Sequence, residues 1–203
     1  MTWVTLATED ALSEAVGDKL VSEHASHLHI AQRLRRNGFG YLRSRLPNFC
    51  EMAVHQPVLL ITDLDRRPCA GALVSDWMKG REKPTGLLLR VAVREVEAWV
   101  LADHVAVRSV LRRPTQSLPH DPDGLDDPKQ YLINLAKKGP RAMRDAVVPA
   151  TGAIAAQGLG YNEFLVAMIN QQWSPERAAE RSDSLRRARG RLAQLALASQ
   201  QRR

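Results

Sequence analysis

Residues 56–67, Gln-Pro-Val-Leu-Leu-Ile-Thr-Asp-Leu-Asp-Arg-Arg, constrain the fold more than any other stretch. Val58, Leu59, Leu60 and Ile61 form an unbroken apolar run, closed by Pro57 before it and by acids and Pro68 after it. A half-exposed strand alternates polar with apolar residues. A run without alternation reads as a strand buried on both faces, the pattern of a parallel sheet covered by helices on each side. Asp63 and Asp65 follow at once. Residues two apart in an extended chain share a face, so the two carboxylates are expected to converge at the carboxyl end of a central strand. Open α/β sheets place their sites at that edge. Like charges that close repel unless a cation lies between them or one takes a proton. Hard oxygen donors favour Mg²⁺, Mn²⁺ or Ca²⁺ over zinc. The alternative is that the pair starts a turn and caps the next helix.

Strand and helix patterns alternate around this run. Trp3 to Ala7 reads as a first strand, and Thr8 as the cap of a helix running to about His24 with Leu12, Val16 and Leu20 on its core face. His27 to Leu34 reads as a second strand, and Pro47 to His55 as a short helix leading back to the central strand. Cys69 to Lys79 is amphipathic and stops at Gly80; Leu87 to Val93 is the next strand. Such alternation predicts an α/β fold with a central, mostly parallel sheet flanked by helices. Residues 1–112 are read as this core and 113–128, rich in Pro, Asp and Gly, as a surface loop long enough for a lid or insertion. Residues 129–203 read as a helical, basic carboxyl-terminal region.

Three strand-to-helix junctions carry acids: Glu9, the Asp63/Asp65 pair, and Glu95 or Glu97 in Arg94-Glu95-Val96-Glu97-Ala98-Trp99. In a parallel sheet all three open on one edge. Gathering like charges there is costly without a cation. Glu95 and Glu97 would point in different directions on a helix, so at most one is expected to join the cluster.

The chain carries a net charge of +7, which favours polyanionic partners. Arg35 and Arg36, with Arg43 and Arg45, flank the glycine-punctuated loop Asn37-Gly38-Phe39-Gly40, and read either as a phosphate grip or as a solvated turn. From Glu176 onward eight arginines, Arg186 and Arg187 among them, face three acids; this is either a solvated helix face or an electrostatic hold on nucleic acid. Aromatic residues make up only 5%, which argues against a base-stacking surface as the main binding device. No apolar run reaches the roughly 20 residues of a membrane span. The amino terminus has no basic leader, and Cys50 and Cys69 form no metal-type pair, so a reduced cytoplasm is the expected setting.

A glutamate after the first strand followed by DxD after a later hydrophobic strand resembles the Toprim pattern of topoisomerases, bacterial primases and related nucleases. The segments TEDALSEAV, VLLITDLDR, VAVREVEAWVLAD, DPKQYLINLAKK and GYNEFL…WSPERAAERSDSLRRA are similar to a group of small bacterial Toprim-like proteins. Genes of that group often neighbour ATPases in loci regarded as phage defence. The resemblance covers most of the chain, and REVEAWVLAD is its more specific part. It implies that Glu9 is the Toprim glutamate and Asp63 and Asp65 its aspartates. The glycine that usually follows the glutamate is Asp10 here, a departure at the phosphate-approaching turn. The equipment of a topoisomerase or primase is absent, so the resemblance implies a nuclease.

The expectation is therefore a Mg²⁺- or Mn²⁺-dependent nuclease. Asp63, Asp65 and one of Glu95 and Glu97 would hold metal. Glu9 would complete a second metal site or act as general base, and Arg66, Arg67 or Arg94 would clamp phosphate. Nucleic acid, and an ATPase encoded nearby, are the expected partners, with no membrane. A non-catalytic binding module on the same scaffold, and phosphoryl transfer on a small nucleotide, are the alternatives.

Overall fold

The computed structural model describes residues 1–35 and 40–201 of the 203-residue chain. Four strands, β1 (Thr2–Thr8), β2 (Leu28–Arg35), β3 (Val58–Asp63) and β4 (Leu87–Ala92), form an all-parallel sheet in the order β2-β1-β3-β4. The apolar run is interior as expected: Val58 to Ile61 are fully buried in β3. The edge strand β2 carries Gln32, Arg33 and Arg35, and its exposed charges discourage pairing with another sheet.

Strand order places the helices. The chain steps from β1 to β2 in one direction, then returns across β1 to β3 and on to β4. Parallel crossovers are right-handed, so the first must lie on one face and the next two on the other. Accordingly α1 (Ala11–Ser22) packs Leu12, Val16 and Leu20 with Val4, Leu6, Leu59 and Ile61. On the opposite face, α2 (Tyr41–His55) and α3 (Ala70–Met78) pack Leu42, Leu46, Phe49 and Leu73 with Ala7, Leu60 and Leu89. Gly17 lets α1 lie close: a Cβ there would stand 2.6 Å from Leu6 Cδ1. The order reverses between β1 and β3, and the crevice at their carboxyl ends is where doubly wound sheets bind ligands.

After β4 come α4 (Val96–Ala102), α5 (His104–Leu111), α6 (Pro128–Ala136), α7 (Arg141–Val147), α8 (Tyr161–Gln171), α9 (Pro175–Ala179) and α10 (Asp183–Gln201). These helices are continuous with the core on the α1 face, from Val4 through Trp99, Leu165 and Leu185 to Ala196. Trp99, wholly buried on α4, donates from Nε1 to Ser184 Oγ at 2.6 Å and accepts at its carbonyl from Trp173 Nε1 at 3.1 Å. Ser184 Oγ also accepts from Val93 N at 3.4 Å, so α10 begins beside the carboxyl end of β4. Among the described residues, no helix is long and apolar enough to cross a membrane.

Several local readings change. The cap of α1 is Asp10, whose carboxylate accepts from Ser13 N at 2.8 Å, and not Thr8, which remains in β1. Helix α2 starts at Tyr41, so Pro47 lies inside it and does not open it. The 113–128 segment is tied down: Asp123, in a 3₁₀ turn at Pro122–Gly124, accepts from Ser182 Oγ at 2.8 Å and Ser184 N at 2.9 Å. A free lid would lack such anchors.

Asp103 is fully buried between α4 and α5. Arg177 pairs with it through Nε at 2.9 Å and Nη2 at 2.6 Å, and Ser174 N donates to it at 2.8 Å. Removing one partner of a buried pair strands the other charge. Arg177 is itself partly exposed and Asp103 keeps its backbone donors, so Arg177→Met should lower the unfolding free energy by about 1–3 kcal/mol in urea denaturation. A loss under about 1 kcal/mol, the scale of surface pairs, would show that the carboxylate is not stranded.

Candidate functional site

Parallel pairing sets the site. Asp63 stands opposite Ala92 at the end of β4, and β1 runs beside β3 up to Ala7 opposite Leu60. The turns after β1, β3 and β4 therefore open together. Glu9 lies beside β3, where its Oε1 accepts from Thr62 Oγ1 at 3.0 Å. Asp63 Oδ1 accepts from Val96 N at 2.9 Å, and so carries the end of β3 across to the start of α4.

The extended chain ends at Asp63, so strand alternation does not place Asp65, although the Asp65 charge still bears on Asp63. The chain leaves the extended state at Asp65, which has φ +52°, and Arg94 opposite has φ +61°. Both are left-handed conformations, uncommon outside glycine and concentrated at functional turns. Asp65 N donates to Arg94 O at 2.8 Å, and Arg94 Nη1 donates to the carbonyls of Asp65 at 3.1 Å and Arg67 at 3.4 Å. Arg94 thus braces the two turns.

Glu95 and Glu97 also depart from expectation, because both converge on one residue, Lys129. Glu95 precedes α4 in extended conformation (φ −147°), so helical spacing does not separate the two. Its Oε2 accepts from Lys129 N at 3.0 Å. Glu97, 3% exposed, lies 3.4 Å from Lys129 Nζ and accepts from Tyr161 Oη at 2.9 Å. Lys129 Nζ also stands 5.9 Å from the centre of the Tyr161 ring. Lys129 and Tyr161 escaped motif reading. Their signal was their place in DPKQY and GYNEF, since a lysine and a tyrosine far apart in sequence declare no shared target.

Glu9, Asp63, Glu95 and Glu97 hold their protons more tightly than ordinary carboxyls. Burial pushes Asp63 well above the usual carboxylate range, and the Glu97 and Asp10 charges push the same way. Burial raises Glu9, against the Thr62 hydrogen bond, with Asp65 and Asp10 adding to it. Burial also raises Glu95, with the Glu97 charge adding to it, and raises Glu97 in spite of Lys129 and Tyr161. Lys129 is raised because Glu97, Glu95 and Asp63 together outweigh its own desolvation. Glu9, Asp10, Asp63, Asp65 and Glu95 make no salt bridge among the described residues.

The arginines expected to hold phosphate lie around this same edge, mostly engaged. Arg35, at the end of β2, stands 3.5 Å from Glu14. Arg67 pairs with Asp76 at 3.0 Å, while Arg66 is exposed. Arg186 and Arg187, on the first turns of α10, both pair with Asp183. Arg36 lies outside the described residues.

Hard carboxylate oxygens without cationic partners suit a divalent ion in donor chemistry. Among the described residues, however, no three or more His, Cys, Asp or Glu side chains stand together as a ready ligand set. No protein-family model, curated protein or solved structure matches the chain.

A carboxyl that holds its proton more tightly when folded contributes stability below its unfolded pKa and loses it as pH rises through the folded value. Asp63→Asn keeps an oxygen to accept from Val96 N and removes that loss. Without divalent metal, the variant should melt higher than wild type at pH 8, by some 2–4 °C per kcal/mol relieved, and the gap should close toward pH 4. A variant that melts lower at pH 8 would mean the Asp63 charge is already neutralised.

Proposed function

We propose that this chain is a Toprim-type, Mg²⁺- or Mn²⁺-dependent phosphodiesterase that cleaves DNA or RNA. One observation carries the reading. Glu9, Asp10, Asp63, Asp65 and Glu95 lie at the turns of one carboxyl edge, at the switch point of a doubly wound sheet, without salt-bridge partners among the described residues, in a chain of net charge +7 whose arginines rim the same edge. Glu9 after β1 and Asp63/Asp65 after the adjacent β3 have the layout that the Toprim resemblance implies.

Asp63 and Asp65 would hold the ion, with Glu95 beside them. A bound divalent ion would neutralise the phosphate and lower the pKa of a water. The other roles belong to the chain. Glu9, with its affinity for protons raised by burial, is suited to take a proton from the attacking water. Glu97 positions Lys129 through their buried pairing, and Lys129 offers an ammonium at the rim of the acidic edge. Arg66 is the exposed guanidinium best placed beside the Asp65 turn to meet a phosphate. Action in the cytoplasm, a role in phage defence or DNA processing, and partnership with an ATPase rest on the resemblance and cysteine usage alone.

The second reading, a binding module without catalysis, is favoured by the want of a ready ligand set among the described residues. Metal titration separates the two. If the site is real, Mn²⁺ should raise the melting temperature of wild type by mass action. The response should be stronger at pH 8 than at pH 6, because the ligands must first lose their protons. Asp63→Ala, folded by circular dichroism, should lose at least about 100-fold in cleavage of single- or double-stranded DNA or RNA. Salt-sensitive nucleic-acid binding without a metal response or any cleavage, with an adjacent ATPase supplied, would leave only the module.

A further inference from the structure

The opposite end of the sheet has inverse electrostatics. A cavity of about 770 Å³ opens at the amino-terminal ends of β3 and β4, between the end of α2 and the last turns of α10. That volume is within the range of small-molecule sites. Lys83, Arg90 and Arg191 line it, and no Asp or Glu is among its lining residues. Three cations in one cavity repel, and nothing in the fold requires the arrangement.

Arg90 is the telling residue. It sits on β4 opposite Ile61, at a position where its neighbours Leu88 and Ala92 join the core. A strand residue facing a helix is ordinarily apolar. Here the guanidinium is half-buried, forms no salt bridge among the described residues, and has its Nε buried without a hydrogen-bond partner. A buried donor left unsatisfied is costly and rare in native structures. Arg191, across from it on α10, donates through Nη1 to Gln194 Oε1 at 2.8 Å and makes no salt bridge among the described residues. Lys83 Nζ donates to Leu87 O at 2.9 Å, which leaves two of its protons for other acceptors. Burial and the neighbouring cations lower the proton affinity of both Lys83 and Arg90. An anion in the cavity would satisfy the stranded donor and relieve the mutual repulsion at once.

The rim adds a flat aromatic surface. Trp3, 55% exposed, lines the same cavity, with its ring tilted against His29 at 5.4 Å between centroids. A phosphate on an arginine fork and a base on an indole are complementary recognition elements.

We propose that this cavity is a second site, distinct from the acidic edge, which binds a small nucleotide with its phosphate on Arg90, Arg191 and Lys83 and its base against Trp3. The test is thermal shift and calorimetry with adenosine monophosphate, inorganic phosphate and adenosine, in EDTA at constant ionic strength. Adenosine monophosphate should stabilise wild type and bind at least tenfold more tightly than adenosine. Arg90→Met should weaken it by at least about tenfold, the scale of one charge-assisted hydrogen bond. If Arg90→Met does not fold, Arg191→Gln, on the exposed side of α10, should show the same loss. Trp3→Ala should remove the advantage of adenosine monophosphate over phosphate. Asp63→Asn should retain the full response, which keeps this site independent of the outcome at the acidic edge. Equal binding of adenosine monophosphate and adenosine, an unchanged affinity in the arginine variants, or binding of polynucleotide only, would overturn the proposal.

Discussion

The parallel pairing of β3 between β1 and β4 is the constraint on which the molecule depends. Val58 to Leu60 can be buried on both faces only because their backbone groups are paired on both sides, so the apolar run and the ladder require each other. Parallel direction then has a chemical consequence. Every strand ends at the same edge, and the turns carrying Glu9, Asp63 and Glu95 meet there although more than 80 residues separate the first from the last.

That edge is electrostatically unfinished within the chain. Glu97 is balanced by Lys129 and Tyr161, but Glu9, Asp63 and Glu95 are burdened by burial and by other acids, Asp65 and Asp10 beside Glu9, Glu97 and Asp10 beside Asp63, and Glu97 beside Glu95. The left-handed turns at Asp65 and Arg94 add local strain, which the Arg94 guanidinium contains by bonding both loops. Strain and unrelieved charge at one place are what a fold tolerates where an outside group is to be bound. The far end of β4 has the opposite imbalance, three cations around a cavity. One strand thus joins an acidic edge to a basic one.

The helical carboxyl-terminal region supplies more than positive charge. Tyr161 from α8 and Lys129 from α6 hold Glu97, and α10 closes the β4 side of the sheet, with Ser184 accepting from Trp99. Much of its arginine content is committed within the chain: Arg177 to Asp103, Arg189 to Glu23, and Arg186 and Arg187 to Asp183. The arginine count of this region therefore overstates its free positive charge.

What the amino-acid order determined by itself was local and periodic. The doubly buried β3, its parallel neighbours and the core face of α1 at Leu12, Val16 and Leu20 all follow from hydrophobic spacing, which acts within a few residues. That the turns after β1 and β3 open at one edge was legible too, because parallel strands share an edge whatever their side chains do. Only the tertiary structure decided that the chain turns left-handed at Asp65, that Glu95 and Glu97 meet on one lysine, and that Arg90 faces a cavity shared with Arg191. These depend on single backbone torsions and on partners 30 to 100 residues distant, such as Glu95 with Lys129 and Arg90 with Arg191. Such contacts leave no periodic trace, because their energy arises only once the sheet has brought the groups together.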